Sequence, residues 1–331
     1  MKEALQIIAE IGSVHDGSFG NACKLIETAA SCGAHAAKFQ THIAEAETLR
    51  DAPSPAYFNG EPRFDYFRRT GFTRAQWKEL RAVCEAQRIT FLSSPFSLEA
   101  VDLLEEVGVG AYKIPSGEVT NWPLLEHVAA TGKPALLSSG MSSWQELDGA
   151  VEILRRGGPL TILQCTTAYP CPSERVGLNV IAEMRSRYAL PVGFSDHTNG
   201  MAAAFAAVAL GADVIEKHLT FSRLMYGSDA ANAMEPADFR QMTDGLAAIW
   251  AMRTAPVDKD DLTPYRDMKL IFEKSVVTAR PIRSGQAIDR ADLAFKKPGD
   301  GISAARYREI IGRRAKRDLP AEHKLAEADL G

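Results

Sequence analysis

The stretch LPVGFSDHTNGMAAAFAAVALGADVIEKHLT, from Leu190 to Thr220, decides the fold of this chain. An apolar run ends in SDH, a glycine opens an alanine-rich segment, and a second apolar run ends in EKH, which predicts strand, helix, strand. Parallel strands joined by one helix finish at the same edge of their sheet, because the right-handed crossover returns the chain to its starting side. We therefore expect His197 and His218 to lie close together, with a metal ion as their simplest shared partner.

Similar apolar runs recur along the chain. They are QIIAEIG, AAKFQT, ITFLSSP, AYKIPSG, PALLSSG, LTILQCT, PVGFSDH and ADVIEKH. Helical patterns lie between them, and many close with glycine, as a helix C-cap prefers. Eight strands alternating with helices over about 250 residues predict a (β/α)8 TIM barrel. A doubly wound open sheet is the competitor, but no GxGxxG follows the first strand, so its dinucleotide-binding version is not favoured.

The sequence divides into a catalytic barrel, a linker and a small tail. We assign residues 1–255 to the barrel and the charged, proline-containing segment 256–274 to the linker. Residues 275–331 show short β-runs punctuated by glycine and proline, which predicts a small, mostly β domain. A segment this short is near the lower limit for independent stability, so we expect it to dock on something larger.

One connection is anomalous. Residues 42–73 are too many, and too rich in proline, glycine and aromatic residues, for a plain βα loop. Insertions at the catalytic face of a barrel are usually lids or substrate walls; the alternative is a surface excursion without a role.

Composition excludes several classes of protein. A formal net charge of -4 and no basic run beyond RRAKR argue against a nucleic-acid surface. No apolar run approaches the roughly 20 residues that cross a bilayer. The five cysteines are odd in number and lack CxxC spacing, which favours a reducing compartment. The first strand begins at once, without a signal-peptide pattern, so we expect a cytoplasmic protein.

The strand ends predict an anion site. A buried lysine without a partner costs several kcal/mol, so Lys38 and Lys113 at strand ends imply an anionic ligand or internal pairing with Glu10, Glu118 or Glu216. The two interpretations can coexist in the empty protein. Serine and threonine residues stand at the carboxyl ends of the neighbouring strands, and their hydroxyl groups can donate hydrogen bonds to phosphate and carboxylate oxygens. The ligand we expect is a small phosphorylated, carboxylated anion beside a divalent metal.

Two protein histidines on a metal leave coordination positions open, which indicates catalysis rather than a structural site. Imidazole and oxygen ligands with open positions suit Mn²⁺ or Mg²⁺, and ligand type does not exclude Zn²⁺, Co²⁺ or Fe²⁺.

The ordered motifs IAEIG, AAKFQT, FLSSPF, YKIPSGEVTNWPLL, LLSSGM, CTTAYP, GFSDHT, EKHLT and KKPGDGIS carry a resemblance. Over its whole length the chain resembles the sialic acid (N-acetylneuraminate) synthase family, and its tail resembles the antifreeze-like (SAF) domain of that family. The resemblance implies metal-dependent condensation of phosphoenolpyruvate with the open-chain aldehyde of an N-acylated hexosamine, such as ManNAc or a 2,4-diamino-trideoxyhexose. The products would be a nonulosonic acid and phosphate. It also implies a domain-swapped homodimer in which the tail caps the partner subunit's barrel.

The same resemblance implies a role for each motif residue. The metal ligands would be His197 and His218, with Mn²⁺ the favoured ion and Mg²⁺ or Co²⁺ as alternatives. The acceptor sugar would contact Gln40, Tyr169, Asp229 and Lys297, while Glu10 and Glu118 would carry the proton transfers. The phosphoenolpyruvate contacts would be Lys38, Ser94, Lys113, Ser116, Ser138, Thr167 and Ser195.

Three positions depart from the family pattern. Thr167 stands where the family often has Asn or Ser, and Ser94 where it often has Thr, and both changes keep a hydrogen-bonding group. The tail reads KKPG rather than KRPG, so Lys297 replaces an arginine that contacts the N-acyl group of the sugar. Lysine lacks the planar fork of arginine, which leaves the acyl substituent open. The SGE of strand four favours a sialic or legionaminic acid type over a pseudaminic acid type.

Two other functions compete with this one. A different metal-dependent barrel enzyme, such as an aldolase that takes pyruvate or a hydrolase, needs no phosphate pocket and leaves both lysines and the serines unexplained. A non-enzymatic sugar-binding protein would recognise sugar through the small domain, independently of His197. Release of phosphate from phosphoenolpyruvate separates the synthase from both, and a synthase for a differently substituted sugar acid remains the nearest alternative.

Overall fold

The structure is a computed structural model that describes residues 4–54, 58 and 60–331. Eight parallel strands close into a barrel in chain order, with β8 pairing back onto β1, so the predicted (β/α)8 barrel is confirmed. The strands are β1 Gln6–Gly12, β2 Ala36–Thr41, β3 Thr90–Pro95, β4 Tyr112–Ile114, β5 Ala135–Ser138, β6 Leu160–Cys165, β7 Val192–Asp196 and β8 Val214–His218.

Helices follow every strand of the barrel, and their ends are encoded locally. The helices are α1 Phe19–Ser31, α2 Ala44–Glu47, α3 Arg63–Thr70, α4 Arg74–Ala86, α5 Leu98–Val107, α6 Trp122–Ala130, α7 Trp144–Leu154, α8 Leu178–Tyr188, α9 Ala202–Ala209 and α10 Pro236–Thr254. Thr73 with Gln76 and Ser143 with Glu146 form capping boxes that satisfy the first backbone N–H groups of α4 and α7. The alanine-rich helix α9 begins two residues after the expected Gly200.

Strand register brings the charged residues together at one end of the barrel. Glu10 on β1 stands opposite Lys38 on β2 and His218 on β8, and Ser195 on β7 stands opposite Glu216 on β8. Below this level a plug of apolar side chains fills the barrel interior, because residues two positions earlier share the same face. The plug consists of Ile8, Ala36, Leu92, Leu163 and Val214. A larger apolar core lies between the strands and the surrounding helices.

The connection between β2 and α4 is the long insertion. It contains helices α2 and α3 and packs around an apolar cluster of its own, made of Ala44, Phe58, Phe64, Tyr66 and Phe67. Residues 55–57 and 59 of the insertion lie outside the described residues. A segment with its own core is a built structure rather than a loose loop, which agrees with the expectation of a substrate wall.

After Ala255 the chain enters a second compact unit, residues 256–331. The segment expected as a linker belongs to this unit and is partly helical, with α11 Arg266–Phe272. Strands β9 Ser275–Thr278 and β10 Leu293–Lys296 pair antiparallel, and several isolated bridges and the short helix α12 Tyr307–Ile310 complete the unit. Its core contains Val276, Ile282, Ile288, Leu293, Ile302, Ile310, Ala315, Leu319, Leu325 and Leu330.

None of the helices in the described part of the chain has the length and apolarity that crossing a bilayer requires.

Candidate active site

A cavity opens at the carboxyl ends of the barrel strands, and it gathers most of the residues singled out from the sequence. Those that line it are Glu10, Lys38, Gln40, Lys113, Ser116, Ser138, Thr167, Tyr169, Ser195, His197, His218 and Asp229. This is the edge at which barrel enzymes place their chemistry.

A buried network of charges forms the floor of the cavity. Lys38 Nζ lies 2.8 Å from Glu10 Oε2 and 3.7 Å from Glu216 Oε2. Lys113 Nζ donates a hydrogen bond to Glu216 Oε1 at 3.1 Å, and Ser195 Oγ donates to the same oxygen at 2.9 Å. The internal ion pairs expected as an alternative to an anion site are therefore present.

The network decides which groups stay charged. Burial opposes ionisation of Glu216, but Lys113, Lys38 and Ser195 outweigh it and lower the pKa of this carboxyl to about 2. Burial likewise opposes the charge of Lys38, yet Glu10 and Glu216 raise its pKa. For Lys113 burial prevails and its pKa is lowered. The floor thus holds Glu216 as a carboxylate at neutral pH with Lys38 as a cation beside it, while burial weakens the preference of Lys113 for its charged form.

Several hydroxyl groups around the lysines have unfilled hydrogen-bonding capacity. Ser138 Oγ and Thr167 Oγ1 are buried and make no hydrogen bond with the described residues. Gly140 allows this arrangement, because a Cβ there would lie 2.3 Å from Thr167 Oγ1 and 2.6 Å from Ser116 Oγ. Buried polar groups without partners are rare in folded proteins and indicate a site that a ligand completes.

His197 and His218 lie together as expected, with ring centroids 5.7 Å apart. His197 Nδ1 is 2.9 Å from the carbonyl oxygen of Thr166, so Nδ1–H donates and Nε2 keeps its lone pair for a metal. His218 Nδ1 is buried without a hydrogen bond to the described residues, and burial lowers the pKa of this imidazole, which keeps it neutral. In the described part of the chain no cluster of three His, Cys, Asp or Glu side chains forms a metal site. The pair therefore fits a metal with two protein ligands and open positions.

Asp229 and Gln40 also line the cavity, on either side of the end of β1. The backbone N–H of Ser13 donates to Asp229 Oδ2 at 2.9 Å, and Gln40 Nε2 donates to Glu10 Oε1 at 2.8 Å. Gly12 has φ +50°, and a Cβ at this position would lie 2.6 Å from Asp229 Oδ2. Only glycine lets the carboxylate approach the end of β1 so closely.

Three of the predicted site residues do not line the cavity. Ser94 is fully buried behind Lys38, with its Oγ 3.5 Å from Nζ. Glu118 ends a short 3-10 turn and accepts a hydrogen bond from Asn121 Nδ2 at 2.7 Å, while burial raises the pKa of this carboxyl. Lys297 belongs to the second unit, where its Nζ lies 4.8 Å from the centroid of the Phe272 ring.

The structure also adds residues that the sequence did not single out. The insertion contributes His42, Phe58, Arg63, Tyr66 and Phe67, and Phe96 follows directly after β3. Strand β6 contributes Cys165, whose Sγ is 3.9 Å from His197 Nδ1. The aromatic richness of residues 42–73 was the available signal. Strand alternation could have identified a further pair, Asp196 and Lys217, which point away from the cavity and bond at 2.8 Å.

Comparison with known proteins decides the family. Residues 25–257 match the NeuB family and residues 273–330 match the SAF domain. The chain belongs to the NeuB family. It is 36% identical to N,N'-diacetyllegionaminic acid synthase of Campylobacter jejuni, over 99% of this chain and 100% of that one. It is 37% identical to N-acetylneuraminate-9-phosphate synthase of Mus musculus, over 73% of this chain and 69% of that one.

Among solved structures, the chain is similar to the N-acetylneuraminic acid (sialic acid) synthetase of Leptospira borgpetersenii serovar Hardjo-bovis, in complex with citrate. The two share 28% identity with a TM-score of 0.72, over 80% of this chain and 90% of the other. The predicted family, the enzyme class and the barrel with its SAF domain are thus confirmed.

Proposed function

We propose that this NeuB-family enzyme condenses phosphoenolpyruvate with the open-chain aldehyde of an N-acylated hexosamine, giving a nonulosonic acid and inorganic phosphate with a divalent metal bound. One observation carries the proposal. Two buried lysines and hydroxyl groups without partners among the described residues lie in one cavity with two histidines whose ring centroids are 5.7 Å apart. A pyruvate aldolase or a simple sugar-binding protein has no use for this combination.

Lys38 and Lys113 bind the phosphate and carboxylate of phosphoenolpyruvate. Lys38 is paired with Glu10 at 2.8 Å and reaches Ser94 at 3.5 Å. Lys113 keeps more donor capacity, because among the described residues it makes one hydrogen bond, to Glu216. Ser138 and Thr167 complete the anion site with hydroxyl groups that have no partner among the described residues. Ser116 and Ser195 lie beside them.

In the reaction, C3 of phosphoenolpyruvate attacks the aldehyde carbon of the sugar, water adds to C2, and the C–O bond to phosphate breaks. The former aldehyde oxygen takes a proton, and the attacking water loses one. Glu10 is the candidate for proton transfer, because its carboxylate lines the cavity next to Gln40. Glu118 remains a weaker candidate, since its carboxylate is buried beside Asn121 instead.

His197 and His218 would hold the metal, which when bound polarises carbonyl oxygen as a Lewis acid. Mn²⁺ is the ion we favour, with Mg²⁺ or Co²⁺ as alternatives. After exhaustive chelation we expect activity to be lost and to return on adding Mn²⁺. A His197→Ala, His218→Ala variant should stay inactive with metal added. Full activity of that variant would contradict the assignment.

The acceptor contacts are Gln40, Tyr169 and Asp229, together with Lys297 from the second unit of a partner chain. The similarity to a diacetyllegionaminic acid synthase over nearly the full length favours an acceptor with acylamino groups. The decisive experiment incubates the protein with phosphoenolpyruvate, Mn²⁺ and a panel of N-acyl hexosamines. Phosphate release and the mass of the product identify the acceptor, and no release with any acceptor would contradict the proposal.

The proposed assembly is a domain-swapped homodimer. A Lys38→Met chain mixed with a Lys297→Ala chain should regain activity, because one heterodimer site then combines an intact barrel with an intact tail. Active monomers, or no recovery after proven subunit exchange, would show that the tail serves its own barrel or none.

A further inference from the structure

His42, at the start of the insertion, lines the cavity and is almost completely buried. Its side chain is only 5% exposed. The imidazole is stacked between two phenylalanine rings: Phe67 at 3.7 Å between centroids with planes 10° apart, and Phe96 at 4.0 Å with planes 21° apart. This packing fixes the plane of the ring, so its two nitrogens point in set directions.

Both ring nitrogens of His42 are engaged in one chain of hydrogen bonds. The chain begins at Glu10, whose Oε1 accepts from Gln40 Nε2 at 2.8 Å. Gln40 Oε1 lies 3.2 Å from His42 Nε2, and His42 Nδ1 lies 2.8 Å from Glu47 Oε1. The chain thus joins β1 of the barrel to helix α2 of the insertion.

The positions of the protons follow from the chain. Glu10 is paired with Lys38 at 2.8 Å, so it is a carboxylate that can only accept. The NH2 group of Gln40 must therefore face Glu10, and its carbonyl oxygen must face His42. A carbonyl only accepts, so Nε2 of His42 carries a hydrogen. The 2.8 Å contact between Nδ1 and the Glu47 carboxyl group contains one further proton, on either partner, because two bare acceptors would repel each other. The reverse orientation of the amide would place its oxygen against the Glu10 carboxylate, where two acceptors repel each other.

We propose that His42 is a positioning residue, anchored by Glu47, that holds the amide of Gln40 in a single orientation for the acceptor sugar. The proposal rests on the proposed function in taking Gln40 as an acceptor contact. With the amide fixed, its second N–H and its second lone pair hold fixed positions in the cavity. The enzyme then prefers sugars whose hydroxyl groups can accept from the first and donate to the second. His42 itself exchanges no proton with substrate, because Gln40 and Glu47 occupy both of its nitrogens.

Two substitutions at this position separate positioning from packing. His42→Asn places its amide near the position of Nδ1 and loses the donor to Gln40. His42→Gln reaches the position of Nε2 and returns an N–H to Gln40. We expect His42→Asn to raise the KM for the acceptor about tenfold, the value of one hydrogen bond, while the KM for phosphoenolpyruvate stays unchanged. His42→Gln should restore most of that loss.

A double-mutant cycle with Gln40→Ala is the matched control. If His42 acts through Gln40, His42→Asn adds no further loss once the Gln40 amide is gone. Additive losses would overturn the proposal. So would equal losses in the Asn and Gln variants, because they would assign His42 a packing role between the two phenylalanine rings. Urea unfolding of each variant measures that packing contribution separately.

A measurement without turnover keeps this proposal separate from the proposed function. In protein labelled with ¹⁵N-histidine, the His42 signals are assigned by their loss in His42→Asn. We expect a protonated Nε2 whose shift changes in Gln40→Ala. An unprotonated Nε2, or a shift that ignores Gln40→Ala, would overturn the proposal even in an active synthase. If no acceptor releases phosphate, the proposed function fails while this result still decides the hydrogen-bond chain.

Discussion

Two sets of buried lysines, on opposite faces of the barrel wall, have very different surroundings. Lys217 points outward from β8, and its Nζ donates to Asp196 Oδ2 at 2.8 Å, to the carbonyl of Thr198 at 2.5 Å and to that of Gly200 at 2.9 Å. All three of its protons have acceptors. Lys113 points inward, and with the described residues it makes one hydrogen bond, to Glu216 at 3.1 Å.

The difference separates a lysine whose partners are all internal from the two lysines that we propose to bind substrate. Lys217 ties the loop that follows β7, and so it supports His197 from outside the barrel. Lys113 is equally buried, but the described residues supply it with one hydrogen-bond acceptor, a condition that costs free energy unless a ligand supplies others. Lys38 is intermediate, with Glu10 at 2.8 Å and Ser94 at 3.5 Å. Along β8, the side chains of Glu216 and His218 face the cavity, while that of Lys217 between them faces outward. Strand alternation therefore places cavity residues and outward-packed residues next to each other in the sequence.

The sharpest test removes an inward lysine. Lys113→Met keeps the volume of the stem and removes the charge. We expect kcat/KM for phosphoenolpyruvate to fall about 10²–10³-fold, as when one preorganised donor to an anionic oxygen is lost. The KM for the acceptor should change much less, and the fold should survive because Glu216 keeps Lys38 and Ser195. A normal KM for phosphoenolpyruvate would make Lys113 structural, like Lys217.

The converse test removes the outward lysine. Lys217→Met leaves Asp196 buried without its partner, so we expect a loss of about 3–5 kcal/mol in the free energy of unfolding. Urea denaturation measures it. Adding Asp196→Asn to the same chain is the control, because it removes the stranded charge and should recover part of the stability. If Lys217→Met unfolds like the wild type, full hydrogen bonding does not distinguish the two classes of lysine.

The pH dependence of stability tests the ionic contribution of Glu216, the carboxyl group between the two inward lysines. The pKa of Glu216 is lowered from 4.5 to about 2 in the folded protein. A lowered folded-state pKa gives stability that is fully present above 4.5 and is lost as the pH falls towards 2. The difference in unfolding free energy between wild type and Glu216→Gln should therefore be constant from neutral pH to 4.5 and shrink below it. A difference that is the same at all pH values would exclude this ionic contribution.

Glu118 should show the smallest effect and the opposite sign. Burial raises the pKa of this carboxyl, so its contribution to stability is present below the ordinary value of 4.5 and is lost as the pH rises through the folded-state pKa. As the pH rises through this pKa, the free energy of unfolding should fall less in Glu118→Gln than in the wild type. Urea denaturation at several pH values measures the difference. Normal turnover of the variant would remove Glu118 from the candidates for proton transfer.

How far the sequence could predict the site depends on the element that carries each residue. Lys38, Lys113, Ser195 and the two histidines were predictable, because period-two alternation and the shared edge of parallel strands fix their side of the barrel. Glu118 is different. It follows the short strand β4 in a 3-10 turn, where alternation no longer applies, and its carboxylate lies beside Asn121 rather than along the cavity.

Strand alternation could not predict which side chains of the insertion, residues 42–73, reach the cavity. His42 and Arg63 reach the cavity because helices α2 and α3 pack on an apolar cluster, and that packing depends on contacts between residues distant in sequence. Composition indicated a wall for the substrate but not which side chains face it. The segment 256–274 was expected as a linker from its charge, yet it includes helix α11, since charged residues at helical spacing do not prevent a helix.

The separate apolar cluster of the insertion has an evolutionary consequence. The side of the cavity that we propose for phosphoenolpyruvate is built on barrel strands, where substitutions also affect the packing of the sheet. The opposite side is built partly on a segment with its own core, in which Arg63 and Tyr66 reach the cavity from helix α3. Mutations there can change the acceptor while leaving the barrel and the shared chemistry intact. One ancestral barrel can therefore give rise to synthases for different sugars, and laboratory libraries aimed at new acceptors should start in this segment.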